Sequence, residues 1–132
     1  MLDSHDFLLD THVLIWLNTD IELVSKKVQR IFKGRKNRLF FSMVSLWEMA
    51  IKMGLKKLSL DVSFQEFIAK GIVQNNIGLL PIKTEHFLAL LGLPMHHRDP
   101  FDRLIIAQAQ VENLQVISRD AHFKLYQIDV VY

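Results

Sequence analysis

Apolar positions along the chain fall into short continuous runs separated by amphipathic stretches. Phe7-Leu8-Leu9 is brief and uninterrupted, the pattern of a strand covered on both faces. A helical segment from Thr11 to Leu17 follows it. Ser25 caps a second helix that runs to Ile31 or Phe32 and stops at Gly34. Arg38 to Ser42 reads as a second strand. Ser42 or Ser45 opens a third helix that continues to Met53 and ends at Gly54. Ser63 opens a fourth, reaching about Gln74. Ile77 to Ile82 predicts a third strand, with Pro81 at its end or on a sheet edge. Thr84 to Leu91 predicts a fifth helix. Asp99-Pro100 opens a sixth, lasting to about Asn113. Val116-Ile117 and Ile128 to Val131 supply the last two strands.

Strands alternating with helices imply an α/β fold with a mainly parallel sheet. There are no internal repeats and no linker, so residues 1–132 read as one domain. Parallel sheets place their sites at the carboxyl ends of the strands. Chemistry is therefore expected just after strands, or at the helix starts that follow.

Composition narrows the chemistry. Half of the 132 residues are hydrophobic, enough for a core without staples, and there is no cysteine. That excludes disulfides and thiolate metal sites and suits a reducing cytoplasm. Asp3 and Asp6 stand where a signal peptide would be basic, and no apolar stretch is long enough to span a bilayer. Net charge is only +2, yet Lys26, Lys27, Arg30, Lys33, Arg35, Lys36 and Arg38 form a run without an acid. Such a run solvates a helix face or contacts phosphates, and composition does not separate the two. Lys33, Arg35 and Lys36 are the candidate phosphate contacts within it.

Four acids stand out. Asp10 directly follows the first strand; a plainer account makes it the cap of the next helix. Glu48 lies on the one polar stripe, Ser45-Glu48-Lys52, of a largely apolar helix. A capping box with Ser45, or an i,i+4 pair with Lys52, also accounts for it. Asp99 fits an N-cap and Pro100 the first helical position, which sets Asp102 at the head of the inward stripe of Ile105, Ile106 and Ala109. Asp120 follows the fourth strand, where a turn or cap is the plainer account. Jointly, carboxylates so placed would repel one another in a pocket, and a hard divalent cation, Mg²⁺ or Mn²⁺, resolves such an oxygen cluster. No histidine pair has the spacing of a helical zinc motif. His96-His97 reads as a structural or RNA-facing pair.

Four stretches carry a family resemblance: LLDTHVLIWL (8–17), SMVSLWEMAIKMGLKKL (42–58), HHRDPFDRLIIAQAQVENL (96–114) and VISRDAHFKLY (116–126). In order and content the chain resembles a PIN domain, specifically the VapC-type toxins of bacterial toxin–antitoxin pairs. The resemblance implies a three-layer α/β/α sandwich and a Mg²⁺- or Mn²⁺-dependent endoribonuclease. Its metal-holding acids fall on Asp10, Glu48, Asp102 and Asp120, with Thr11 and Ser118 at small hydroxyl positions beside them; Asp99 is a further supporting position. It also implies a homodimer, a VapB-like antitoxin partner, and an RNA substrate, transfer RNA being the commonest class for similar toxins.

Rival readings fit less well. A haloacid-dehalogenase-like phosphatase needs Asp-x-Asp after the first strand, where this chain has Asp10-Thr11-His12. A receiver domain needs an acidic pair before its first-strand aspartate, which is not evident. A PIN nuclease of RNA processing outside toxin systems, and a non-catalytic RNA-binding or scaffold module, remain the alternatives.

Overall fold

The structure, a computed structural model, describes residues 6–132; Asp3 and His5 lie outside the described residues. Five strands form one all-parallel sheet: β1 (Asp6–Leu9), β2 (Arg38–Ser42), β3 (Gly78–Leu80), β4 (Gln115–Ile117) and β5 (Val130–Val131). Their order across the sheet is β3-β2-β1-β4-β5. The chain first moves outward from β1 to β3, then returns to the other side of β1. The order therefore reverses between β1 and β4, and a crevice opens there at the strands' carboxyl ends.

Side-chain alternation gives the sheet two apolar faces. Phe7, Leu9, Phe41 and Ile117 share one cluster with Val13 and Leu14 of α1 (Thr11–Thr19), Val28 of α2 (Lys26–Lys33) and Met49 of α3 (Met43–Gly54). Leu8 and Val116 point the opposite way, into a cluster with Leu104, Ile105 and Ile106 of α6 (Pro100–Glu112) and Phe123. Each fully buried aliphatic side chain contributes about 1.5–3 kcal/mol. The result is a three-layer α/β/α sandwich, the expected fold class.

The structure decides between the two expected starts of the third helix and alters the bounds of three other elements. Ser42, not Ser45, caps α3: its Oγ accepts from the Val44 N–H at 2.9 Å. The fourth helix begins as α4 (Phe64–Glu66) but widens into a π-helix over Phe67–Val73. Its buried residues are Phe67, Gly71 and Ile72, a spacing of four then one that the wider turn keeps on one face. β3 is shorter than Ile77–Ile82 because it is an edge strand that stops before Pro81. β5 is shorter than Ile128–Val131, pairing only at its last two residues.

A buried polar network, unforeseen in the pattern of apolar positions, joins the layers behind the crevice. Ser42 Oγ donates to Gln108 Oε1 on α6, and Gln108 Nε2 donates to the Pro81 carbonyl at 3.2 Å. His86 of α5 (Thr84–Leu91) accepts from the Lys83 N–H and pairs with Glu112 at 2.7 Å. Glu112 is held below the usual carboxylate range, chiefly by the His86 hydrogen bond.

Candidate active site

Asp10 is the first residue past β1, and its N–H extends the ladder to the Ile117 carbonyl at 2.9 Å. It occupies the N-cap of α1, yet its side chain makes no capping bond. The carboxylate instead accepts from Ser118 Oγ at 2.8 Å, across the switch between β1 and β4. The capping account of Asp10 therefore fails. Burial pushes its pKa up; the Ser118 hydrogen bond and the charge of His12 offset this only in part.

Glu48 is 3% exposed, in mid-helix. Because α3 starts from Ser42, the capping box with Ser45 does not exist, whereas the Lys52 pair does, at 2.6 Å. Thr11 Oγ1 donates to Glu48 Oε1 at 3.0 Å and lies 2.8 Å from Ser45 Oγ. Two elements thus fix the Glu48 carboxylate: α1 through a hydroxyl and its own helix through an ammonium.

Asp99 Oδ1 accepts from the Phe101 and Asp102 N–H groups, at 2.9 and 3.3 Å, as a cap should. Asp102 is freed from that duty. Its carboxyl is pushed up to about 8 by burial and by the charges of Asp10, Asp99, Glu48 and Asp120. Asp120 caps the short 3₁₀ turn Ala121–Leu125 through the His122 N–H at 2.9 Å, so the plainer account of it holds. Burial pushes its pKa up, but the backbone N–H, ring and charge of His122, with His97, outweigh that and hold it low.

All four acids line one cleft of about 330 Å³, with His12, Trp16, Lys52, Asp99 and Arg119. The cleft sits at the carboxyl ends of β1 and β4, where the topology opens the sheet. Thr11 and Ser118 lie beneath it, each bonded to one of the acids.

His97 and His96 part company. His96 is exposed, its ring edge-on to Tyr126 at 5.2 Å. His97 turns inward, with Nε2 2.9 Å from Asp102 and 3.4 Å from Asp120. Neither contact is aligned as a hydrogen bond. Nδ1 accepts from the Asp99 N–H at 3.3 Å. His97, Asp120 and His122 bring possible ligand atoms within 4.8 Å of one another.

The structure does not bring the basic run to the cleft. Lys33 ends α2, and Arg35 and Lys36 lie in the loop entering β2, at the amino end of that strand. Arg38 is paired with Asp6 at 2.6 Å. The cationic side chains at the cleft are Lys52 and Arg119. Arg119 could have been picked out beforehand, since it stands between two of the candidate positions, Ser118 and Asp120. Trp16 could have been found as the helical i,i+4 neighbour of His12.

A family model for the PIN domain matches residues 7–128. Comparison with curated proteins gives no match. Among solved structures, the chain is similar to a Rickettsia felis VapBC2 complex bound to a promoter DNA fragment. The TM-score there is 0.69 at 14% identity, covering 96% of this chain and 97% of that one. A DNA-bound VapBC from Salmonella typhimurium follows with TM-score 0.67 at 20% identity, covering 96% of both chains. FitAcB from Neisseria gonorrhoeae has TM-score 0.67 at 18% identity, again covering 96% of both. At these identities the likeness is one of fold. The family model, spanning nearly the whole chain, carries the assignment: this protein belongs to the PIN domain family.

Proposed function

We propose that this chain is a Mg²⁺- or Mn²⁺-dependent endoribonuclease and the toxin of a VapBC-type toxin–antitoxin pair. One observation carries the reading: Asp10, Glu48, Asp102 and Asp120 converge on a single cleft at the switch point of a PIN-domain sheet.

The donor set fits a hard divalent cation. It is oxygen-only, and Asp10 and Asp102 are both raised by burial and by neighbouring acids, a strain that such a cation relieves. The four acids would hold the ion, which when bound supplies a Lewis acid at a phosphodiester and an acidified water. The chain's own groups orient those acids. Ser118 aims Asp10; Thr11 and Lys52 fix Glu48; Asp99 closes the turn that presents Asp102. His97 sets its Nε2 between Asp102 and Asp120.

RNA is the substrate on this reading, with transfer RNA the first class to try. A VapB-like antitoxin and a second copy of the chain are the partners, and the cytoplasm is the site of action. The similar structures are toxin–antitoxin complexes, and that supports the antitoxin. Phe87, Leu88 and Leu91 on α5 are 49%, 69% and 85% exposed, an apolar surface suited to assembly. Among the described residues no helix is long and apolar enough to cross a membrane.

The test is cleavage of a purified RNA panel with end mapping, in Mg²⁺ or Mn²⁺ and in excess chelator, beside Asp10→Asn. Cleavage should require metal and vanish in Asp10→Asn with the fold intact. Full activity in chelator, or in that variant, overturns the proposal.

A further inference from the structure

Beside the four acids, the cleft has an aromatic wall that holding a metal does not require. His12 and Trp16 lie one turn apart on α1, their ring centroids 5.8 Å apart and tilted by 39°. The Arg119 guanidinium lies over the Trp16 ring, 4.5 Å from its centroid. All three line the same cleft as Asp10 and Asp102. Trp16 is half-buried and packs on the core, so its ring is held; His12 and Arg119 are exposed.

The two elements that carry this wall also carry the acids. Asp10 leads directly into the helix of His12 and Trp16, and Arg119 separates Ser118 from Asp120. A group resting on Trp16 is thus fixed relative to the acids by the rigid junction of β1 and β4.

We propose that Trp16 is a stacking platform for one unpaired nucleobase beside the cleaved phosphate, with Arg119 as its mobile cover; this rests on the ribonuclease reading above. Stacking of a base on an aromatic ring is stronger than an exposed cation–π contact, so a base can displace the guanidinium. The released Arg119 then lies beside the polyanion, where a bidentate contact to a phosphate compensates for the lost ring. A base still paired in a duplex cannot reach a half-buried ring inside a cleft, so the platform selects single-stranded or looped RNA.

The test uses protein that binds but does not cut. In an Asp102→Asn, Trp47→Phe background, Trp16 is the sole tryptophan and its emission reports on the platform. Hexauridylate should quench that emission; RNA annealed into a full duplex should not. Trp16→Leu keeps an apolar side chain against the core and should lower affinity for hexauridylate by about five- to a hundred-fold. Trp16→Phe should recover most of the loss. An oligomer of abasic ribose phosphates should bind the Trp16→Leu protein and its parent equally.

Arg119→Ala provides a second readout at an exposed position that substitution should not unfold. It should retain the quenching and flatten the log–log salt dependence by about 0.7–0.9 unit. Unchanged affinity in Trp16→Leu, equal quenching by duplex, or loss of quenching in Arg119→Ala overturns the platform. If the unsubstituted chain cleaves RNA while Trp16→Leu binds normally, only this inference falls. If no RNA is bound or cut, the ribonuclease reading falls with it.

Discussion

Asp102→Asn should abolish cleavage and yet stabilise the metal-free protein above about pH 5. Asp102 carries a heavy electrostatic load in the cleft: burial and four neighbouring acids push its carboxyl up to about 8. In the unfolded chain the same group titrates near its ordinary value of 3.8. Between those values the folded protein keeps a proton that the unfolded chain has released. Stability from this group is therefore fully present below the unfolded pKa and drains away as pH rises toward the folded one. The slope is about 1.4 kcal/mol per pH unit for one proton. From pH 5 to pH 7 the loss is about 3 kcal/mol, or about 10 °C in Tm for a domain of this size. Asp10 is also raised, which acts in the same sense; Asp120 and Glu112 are lowered from 3.8 and 4.5, so their opposite contribution changes only below those values and leaves the slope from pH 5 to pH 7 untouched.

Thermal melts of chelator-treated protein from pH 5 to pH 8, unsubstituted and Asp102→Asn, read this directly. The unsubstituted protein should lose stability with rising pH. The variant, which has no ionisable group there, should fall less and melt higher at pH 7. Saturating Mg²⁺ or Mn²⁺ should close most of the gap: a ligand at a hundred times its Kd adds about 2.7 kcal/mol to the parent, and the variant should gain far less. A variant that melts lower than its parent at pH 7 without metal, or a parent whose pH slope is unaffected by the substitution, refutes the reasoning.

Asp99→Asn should keep most cleavage, because Asn caps a helix about as well as Asp, whereas Asp99→Ala should cost about 1 kcal/mol in denaturant melts. Loss of activity in Asp99→Asn equal to that in Asp102→Asn would mean that the charge of Asp99, not its cap, is used. Thr11→Val leaves Ser45 and Glu48 without their shared partner, and should lower stability by about 1–3 kcal/mol and reduce kcat; unchanged values of both would show that Lys52 alone holds Glu48. Lys33→Ala, Arg35→Ala and Lys36→Ala together should leave the salt slope of a hexanucleotide unchanged. With RNA of transfer-RNA size, the slope should flatten by about two units or more if RNA reaches the amino end of β2; an unchanged slope with both would leave the run as a solvated surface.

What was legible in the sequence depended on whether local pattern or distant contact set each feature. Asp10 and Asp120 could be placed because each follows an apolar strand, and a parallel sheet carries its site there. Asp102 could be told from Asp99 by helix phase alone, and the cap geometry bears this out. Glu48 was visible only as an inward polar stripe, and its two local explanations could not be separated until Ser42 took the cap. The approach of His97 to Asp120 and the cover that Arg119 makes over Trp16 join residues far apart in the chain, where periodicity is silent. Gln108 and His86 are wholly buried, but polar residues on an apolar helix face read as surface until their partners are known. The basic run is the instructive case. Clustering along the sequence suggested one surface, either solvating a helix and loop or contacting phosphates away from the acid pocket. The loop leading into a parallel strand, however, opens at the sheet's amino end, while the acids follow carboxyl ends. Topology, already inferable from the alternation of strands and helices, was the stronger guide to where those charges lie.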